Sequence, residues 1–161
     1  MEFWTSLAPQ IKIFVLAMLP IAEVRLAIPV GLTVYGQSVV TTFIFAAAGN
    51  IAAASIVFIG FHTFADTIIQ KIPKIGNLLE KYLDRARRVF TGKYKHWGVV
   101  GLVLFVGIPL PMTGGWTGAA AAYVFGFEKK KSLLALMTGV LLASIVMTLG
   151  TTGVEWLINL F

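Results

Sequence analysis

The chain contains no cysteine, which excludes a disulfide framework, a thiolate metal site and a thiol nucleophile, and says nothing of compartment. Charge is scarce as well. Asp, Glu, Lys and Arg together make up 12% of the 161 residues, and seven residues are acidic, about half the charged share of an ordinary soluble domain. The amino terminus lacks the basic region and small-residue cleavage site of a signal peptide, since Met1–Phe3 carries Glu2 alone. No nucleophile–base spacing, no phosphate-cradling loop before a soluble helix and no metal-ligand spacing occurs. The expectation is a chain that is not an enzyme and uses neither cofactor nor metal.

What the chain has is apolar length. It is 58% hydrophobic with a mean hydropathy of +0.87. Three long apolar blocks stand out: Ile13–Gly36, Val39–Phe61, and Trp97–Phe127, the last followed after three lysines by Ser132–Val154. About 20 helical residues cross a hydrocarbon core of about 30 Å, and an open sheet cannot satisfy its backbone in lipid. The expected fold is therefore all-α integral membrane, in a single domain over 1–161. A net charge of +6 would suit nucleic acid, but in a membrane chain it reads as cytoplasmic anchoring by Lys and Arg.

Within the first block, Leu-Pro-Ile-Ala-Glu-Val-Arg-Leu-Ala-Ile-Pro-Val-Gly over 19–31 places Glu23 and Arg25 between Pro20 and Pro29. Proline inside a helical pattern removes a donor and clashes with the preceding turn, so the block is expected to break into two half-helices. Charge at membrane depth costs roughly 2.5–3.5 kcal/mol on insertion scales and is usually paired, inward-facing and functional. The expected halves are Ile11–Leu19, started by Pro9, and Pro29–Gly36, stopped by Tyr35-Gly36. Phe3 and Trp4 are expected in an interfacial lead-in.

Val39–Phe61 reads as a full span, with Gly49 and Ala53 a small-xxx-small pair and Asn50 an interhelical hydrogen-bonding residue. The stretch 62–96 is polar, yet Ile75, Leu78, Leu79, Tyr82, Leu83, Ala86, Val89 and Phe90 recur at helical spacing. Lys74, Lys81, Arg85 and Arg88 fill much of the remaining surface. This predicts an amphipathic linker helix that lies on the bilayer or caps the bundle. His62 and Asp66 are placed at an interfacial helix end, with a proton relay the lesser reading, and His96 beside Trp97 reads the same way. Gly98–Ile108 then repeats the opening pattern, broken by Pro109-Leu-Pro-Met-Thr-Gly-Gly-Trp116 with Pro109 and Pro111, and resumed by Thr117–Phe127. A last span covers roughly Ser132–Val154, with Glu155 and Trp156 at the far interface.

Two halves match at an offset of 89 or 90: Pro20 with Pro109, Gly36 with Gly126, Gly49 with Gly139, and Ala54-Ser-Ile-Val57 with Ala143-Ser-Ile-Val146. Repeat 1 covers about 9–61, the linker 62–96, and repeat 2 about 97–155. If both broken blocks are re-entrant, 62–96 and Lys129–Lys131 fall on one side. Eleven of the thirteen Lys and Arg residues are then cytoplasmic, with Lys12 outside and Arg25 buried. The halves are then inverted, a recurring transporter design, and both termini lie outside the cell membrane.

A half-helix that starts inside the membrane aims its free amides and positive dipole end at the centre. The expected starts are near Pro29 and near Thr113-Gly114-Gly115, with Trp116 either walling the site or only packing. Two such ends plus Arg25 suit a phosphate or carboxylate. Glu23 then neutralises Arg25 when the site is empty, or carries a coupling proton. The plain alternative is a buried pair that only locks the hairpin.

At Pro20–Pro29 and Phe105-Val-Gly-Ile-Pro-Leu-Pro-Met-Thr-Gly-Gly-Trp-Thr-Gly118, the chain resembles the small multidrug export proteins, a group that looks like a compact branch of the DedA-like superfamily. The resemblance implies two re-entrant hairpins in an inverted repeat, with Glu23 as the acidic residue of the first hairpin. It implies proton-dependent movement of lipid-linked phosphates such as undecaprenyl phosphate. The second hairpin departs from DedA proteins by lacking their basic residue near the proline motif.

The leading expectation is a translocator of an anionic lipid or polyprenyl-phosphate headgroup, held by Arg25 and the helix ends, with Glu23 responding to protons. The next is a proton-coupled exporter of small molecules, among them cations, with Glu23 as the binding carboxylate; the third is a membrane scaffold. Partners expected are membrane lipids, protons and the lipid phosphate or small molecule carried, with a homodimer plausible for so small a chain.

Overall fold

A computed structural model describes residues 7–158, the side chains of 92 and 93 excepted. The lead-in at Phe3 and Trp4 lies outside the described residues. Every regular element among those residues is helical.

Pro9 opens α1 (Pro9–Met18), where its missing amide costs nothing. The chain breaks at 19–22 and resumes as α2 (Glu23–Pro29). The second half-helix thus begins at Glu23 and not at Pro29, as the sequence led us to expect. Pro29 is its last residue, and the chain accommodates the lost donor by widening into a π turn over Val30–Val34, where Tyr35 N–H donates to the Val30 carbonyl at 3.0 Å. Gly36, at φ +58°, ends the run. Ser38 caps α3 (Val39–Lys71) by accepting from the Thr41 amide.

Helix α3 runs ten residues past the expected end at Phe61, so His62 and Asp66 sit inside a helix. Nothing in 62–71 breaks one, and Ile72-Pro73 is the first stop. Pro73 starts α4 (Pro73–Lys93), the amphipathic helix, which buries Leu83, Ala86 and Phe90. Its amino-terminal half behaves differently: Ile75 is 54% and Leu78 70% exposed, so that part of the apolar face is left uncovered. A short 3-10 turn over Lys95–Trp97 leads to α5 (Gly98–Gly107). The second break covers 108–114, followed by α6 (Gly115–Val124) and α7 (Lys129–Ile158). Helix α7 starts three residues before the expected Ser132, with the lysines in its first turn.

Helices α3 and α7 are long and apolar enough to cross a membrane. At 1.5 Å per residue, α1, α5 and α6 each rise about 15 Å, half a hydrocarbon core. The order helix, break, helix, long helix occurs twice. Each long helix packs on the first short helix of its own half, α1 on α3 and α5 on α7. The second short helices cross over, α2 against α7 and α6 against α3. Close approach depends on glycine at matched places. A Cβ on Gly49 would lie 2.3 Å from the Phe14 carbonyl oxygen, and one on Gly139 would lie 2.6 Å from the Val106 Cβ. One apolar core, including Ile13, Ile28, Phe58, Leu102, Phe105 and Val140, runs through both halves.

Candidate functional site

The crossover of α2 and α6 brings the two breaks face to face. Glu23 is the first residue of α2 and is 2% exposed. Its φ of +45° is a left-handed backbone, costly for a side chain larger than glycine. Residues held that way persist where surrounding contacts overdetermine them, often at working sites.

Three partners hold Glu23 and Arg25. Arg25 Nη2 lies 2.9 Å from Glu23 Oε2. Arg25 Nη1 donates to the Leu110 carbonyl at 2.5 Å, and Nη2 also donates to the Thr113 carbonyl. Glu23 Oε1 accepts the Trp116 amide at 3.3 Å, at the amino end of α6. The acid of the first break therefore sits where the free amides and positive end of α6 point, and the base of that break reads carbonyls of the second.

The second break is shaped to receive them. Thr113 Oγ1 lies 2.8 Å from the carbonyls of Ile108 and Leu110 and accepts the Leu110 amide at 3.2 Å, tying the loop into a fixed knot. Gly114 has φ +137°, and a Cβ there would stand 2.0 Å from Glu23 Oε2 and 2.6 Å from Arg25 Nη2. Only glycine fits. Gly115 admits the side chain of Asn50, whose Oδ1 would lie 2.9 Å from an added Cβ. Trp116 donates its indole N–H to the Met18 carbonyl at 3.1 Å, bracing the end of α1. Pro20 lies in the first break and Pro109 and Pro111 in the second, while Pro29 sits a helix away from both.

Glu23, Arg25, Thr113, Gly114, Gly115 and Trp116 are thus gathered at one place. Between Arg25 and the amino end of α6, where the sequence led us to expect an anion, lies the carboxylate of Glu23. Arg25 already has three acceptors, one of them Glu23.

Two residues join that sequence reasoning had not placed there. Asn50 was expected to bond another helix, yet its Oδ1 is buried with no hydrogen-bond partner among the described residues. Its signal was present, as the only carboxamide in an uncharged span. Tyr82 comes from α4, reaches Thr117, and has its phenol pushed up by burial, opposed by the Thr117 hydrogen bond and aided by the charge of Glu23. Nothing but a polar tip in an apolar stripe marked it.

Beyond Tyr82 and Trp116 lies a cavity of about 780 Å³ between α3 and α4. Tyr123 donates to Asp66 at 2.7 Å, and its ring meets His62 edge-on at 5.3 Å, so that pair belongs to α3–α6 packing. Among the described residues no group of acids and histidines is set to hold a metal ion.

A family model described as "Putative small multi-drug export protein" matches residues 23–146, from Glu23 at the start of α2 through the second break into α7. The chain belongs to that family. No curated protein and no solved structure matches it.

Proposed function

We propose, with that membership as premise, that the chain is a proton-responsive membrane exporter of small molecules, with Glu23 as its switch. The observation that carries this is the bond pattern of one carboxylate, which holds Arg25 and the amino end of α6 together. Proton uptake at Glu23 removes the charge that both partners answer to, and frees α2 to move against α6. Asn50 Oδ1 stands open as an acceptor beside Gly115. Chemistry on the substrate is not part of this reading, and no enzyme activity is proposed.

In the same reading the short helices enter the bilayer and return, the two halves lie inverted, and the basic stretches 62–96 and 129–131 face the cytoplasm. The rise of α1, α5 and α6, each about half a hydrocarbon core, supports this, as does the distribution of Lys and Arg. A second reading, translocation of an anionic lipid or polyprenyl-phosphate headgroup as in DedA-like proteins, is favoured by the convergence of Arg25 and the α6 amides. In it the headgroup competes with Glu23 for those donors.

The test is flux in vesicles containing the purified chain under an imposed pH gradient. Ethidium serves as a cationic probe, a fluorescent long-chain carboxylate as an anionic one, and a headgroup-labelled phosphatidate as the lipid. Expected is gradient-driven movement of a soluble probe that Glu23→Gln abolishes while the helical spectrum is kept. Phosphatidate movement alone favours the second reading. Wild-type flux in a folded Glu23→Gln variant defeats both.

A further inference from the structure

The uncovered half of α4 faces α3 across the 780 Å³ cavity, a size within the roughly 300–1,000 Å³ of small-ligand sites. Its walls are apolar almost throughout, with Phe61, Phe64 and Leu78 among them, and Tyr82 and Trp116 close the end nearest Glu23. Only two lining residues carry charge, Lys81 and Arg85. They stand one helical turn apart on α4, so both heads are presented along the same edge. Both are exposed, and neither makes an ion pair among the described residues. Arg85 is steadied instead by donating to Met112 Sδ at 2.9 Å, a weak acceptor that leaves its charge uncompensated. No acid lines the cavity; Glu23 lies behind Trp116, already paired with Arg25.

We propose that this cavity is a binding site for a single-chain anionic amphiphile, its apolar body between α3 and α4 and its acidic head on Lys81 and Arg85. The match is of charge and shape together. A cationic molecule would meet two like charges at the rim, an uncharged one would leave them unanswered, and about 780 Å³ suits one long acyl chain better than two. The proposal rests on the exporter reading in naming what is carried, but the binding itself needs no transport.

The test uses the full chain in phosphatidylcholine vesicles, without a gradient, and a photoactivatable palmitate at about pH 8.5, where its carboxylate is ionised. Labelled peptides are mapped, with palmitate, hexadecanol, hexadecyltrimethylammonium and phosphatidate as competitors. Expected is labelling on α3 and α4 that palmitate displaces at about one tenth the concentration of hexadecanol. The preference shrinks to within about twofold in K81Q/R85Q and survives in K81R/R85K, which also controls for folding. Equal competition by hexadecanol, a preference that persists in K81Q/R85Q, or phosphatidate competing as well as palmitate overturns the proposal. Selective labelling without flux overturns the exporter reading alone, and flux of ethidium without anionic preference overturns this site alone.

Discussion

The two breaks occupy matched places and do opposite work. Glu23 and Met112, 89 residues apart, are the non-glycine positions with positive φ among the described residues, at +45° and +71°. At the first break that backbone presents a carboxylate, followed two residues later by a guanidinium. At the second it presents no charge at all, but a longer loop of carbonyls and a glycine against which the Glu23 carboxylate packs. One break supplies side chains and the other supplies backbone. Two breaks of like shape can thus hold a single charged pair: a second Glu–Arg pair opposite the first would need partners the carbonyls of 108–114 now provide.

Removing the charged side of this pairing has the largest expected effect. Arg25→Ala leaves Glu23 buried without its cation and strips the Leu110 and Thr113 carbonyls, a loss of about 3–5 kcal/mol, read as a lowered denaturant midpoint in detergent by circular dichroism. Filling the space on the backbone side comes next. Gly114→Ala puts a Cβ into the Glu23 carboxylate and forces a strained φ, costing about 2–3 kcal/mol by the same titration. A wild-type midpoint for this variant would break the account of the glycine.

Loosening the loop itself costs less. Thr113→Val removes a hydroxyl that ties Ile108 and Leu110, and is expected to lower stability by about 1–2 kcal/mol while the family of helices is kept. Met112→Gly sharpens the comparison most finely. It relieves the left-handed backbone by about 1 kcal/mol and gives up the weak Arg85 contact, so the midpoint should stay level or rise slightly. Glu23→Gly, relieved of the same strain, should fall instead, because its side chain is what the second break binds.

Much of the scaffold was legible. The proline-broken blocks, the glycine stop at 36, and the amphipathic period of α4 come from local physics: a missing amide, a left-handed φ, and a stripe of apolar side chains. Glu23 stood out because charge inside an apolar run is costly. Local rules erred where two of them competed. Pro29 reads as a helix start, yet Glu23 starts the helix because its buried contacts outweigh the strain of its own backbone, and a π turn absorbs the proline downstream. The end of α3 was misplaced because polar residues do not stop a helix; Ile72-Pro73 does.

Composition and period by themselves determined that this chain is helical, apolar and interrupted twice, since those follow from each residue and its near neighbours. Only the tertiary structure decided that α2 and α6 exchange long helices, so that Arg25 reaches carbonyls 85 and 88 residues away. It also decided that Asn50 and Tyr82 border the site and that half of α4 stays uncovered. Those outcomes depend on which surfaces press together across the chain, and no local pattern carries that information.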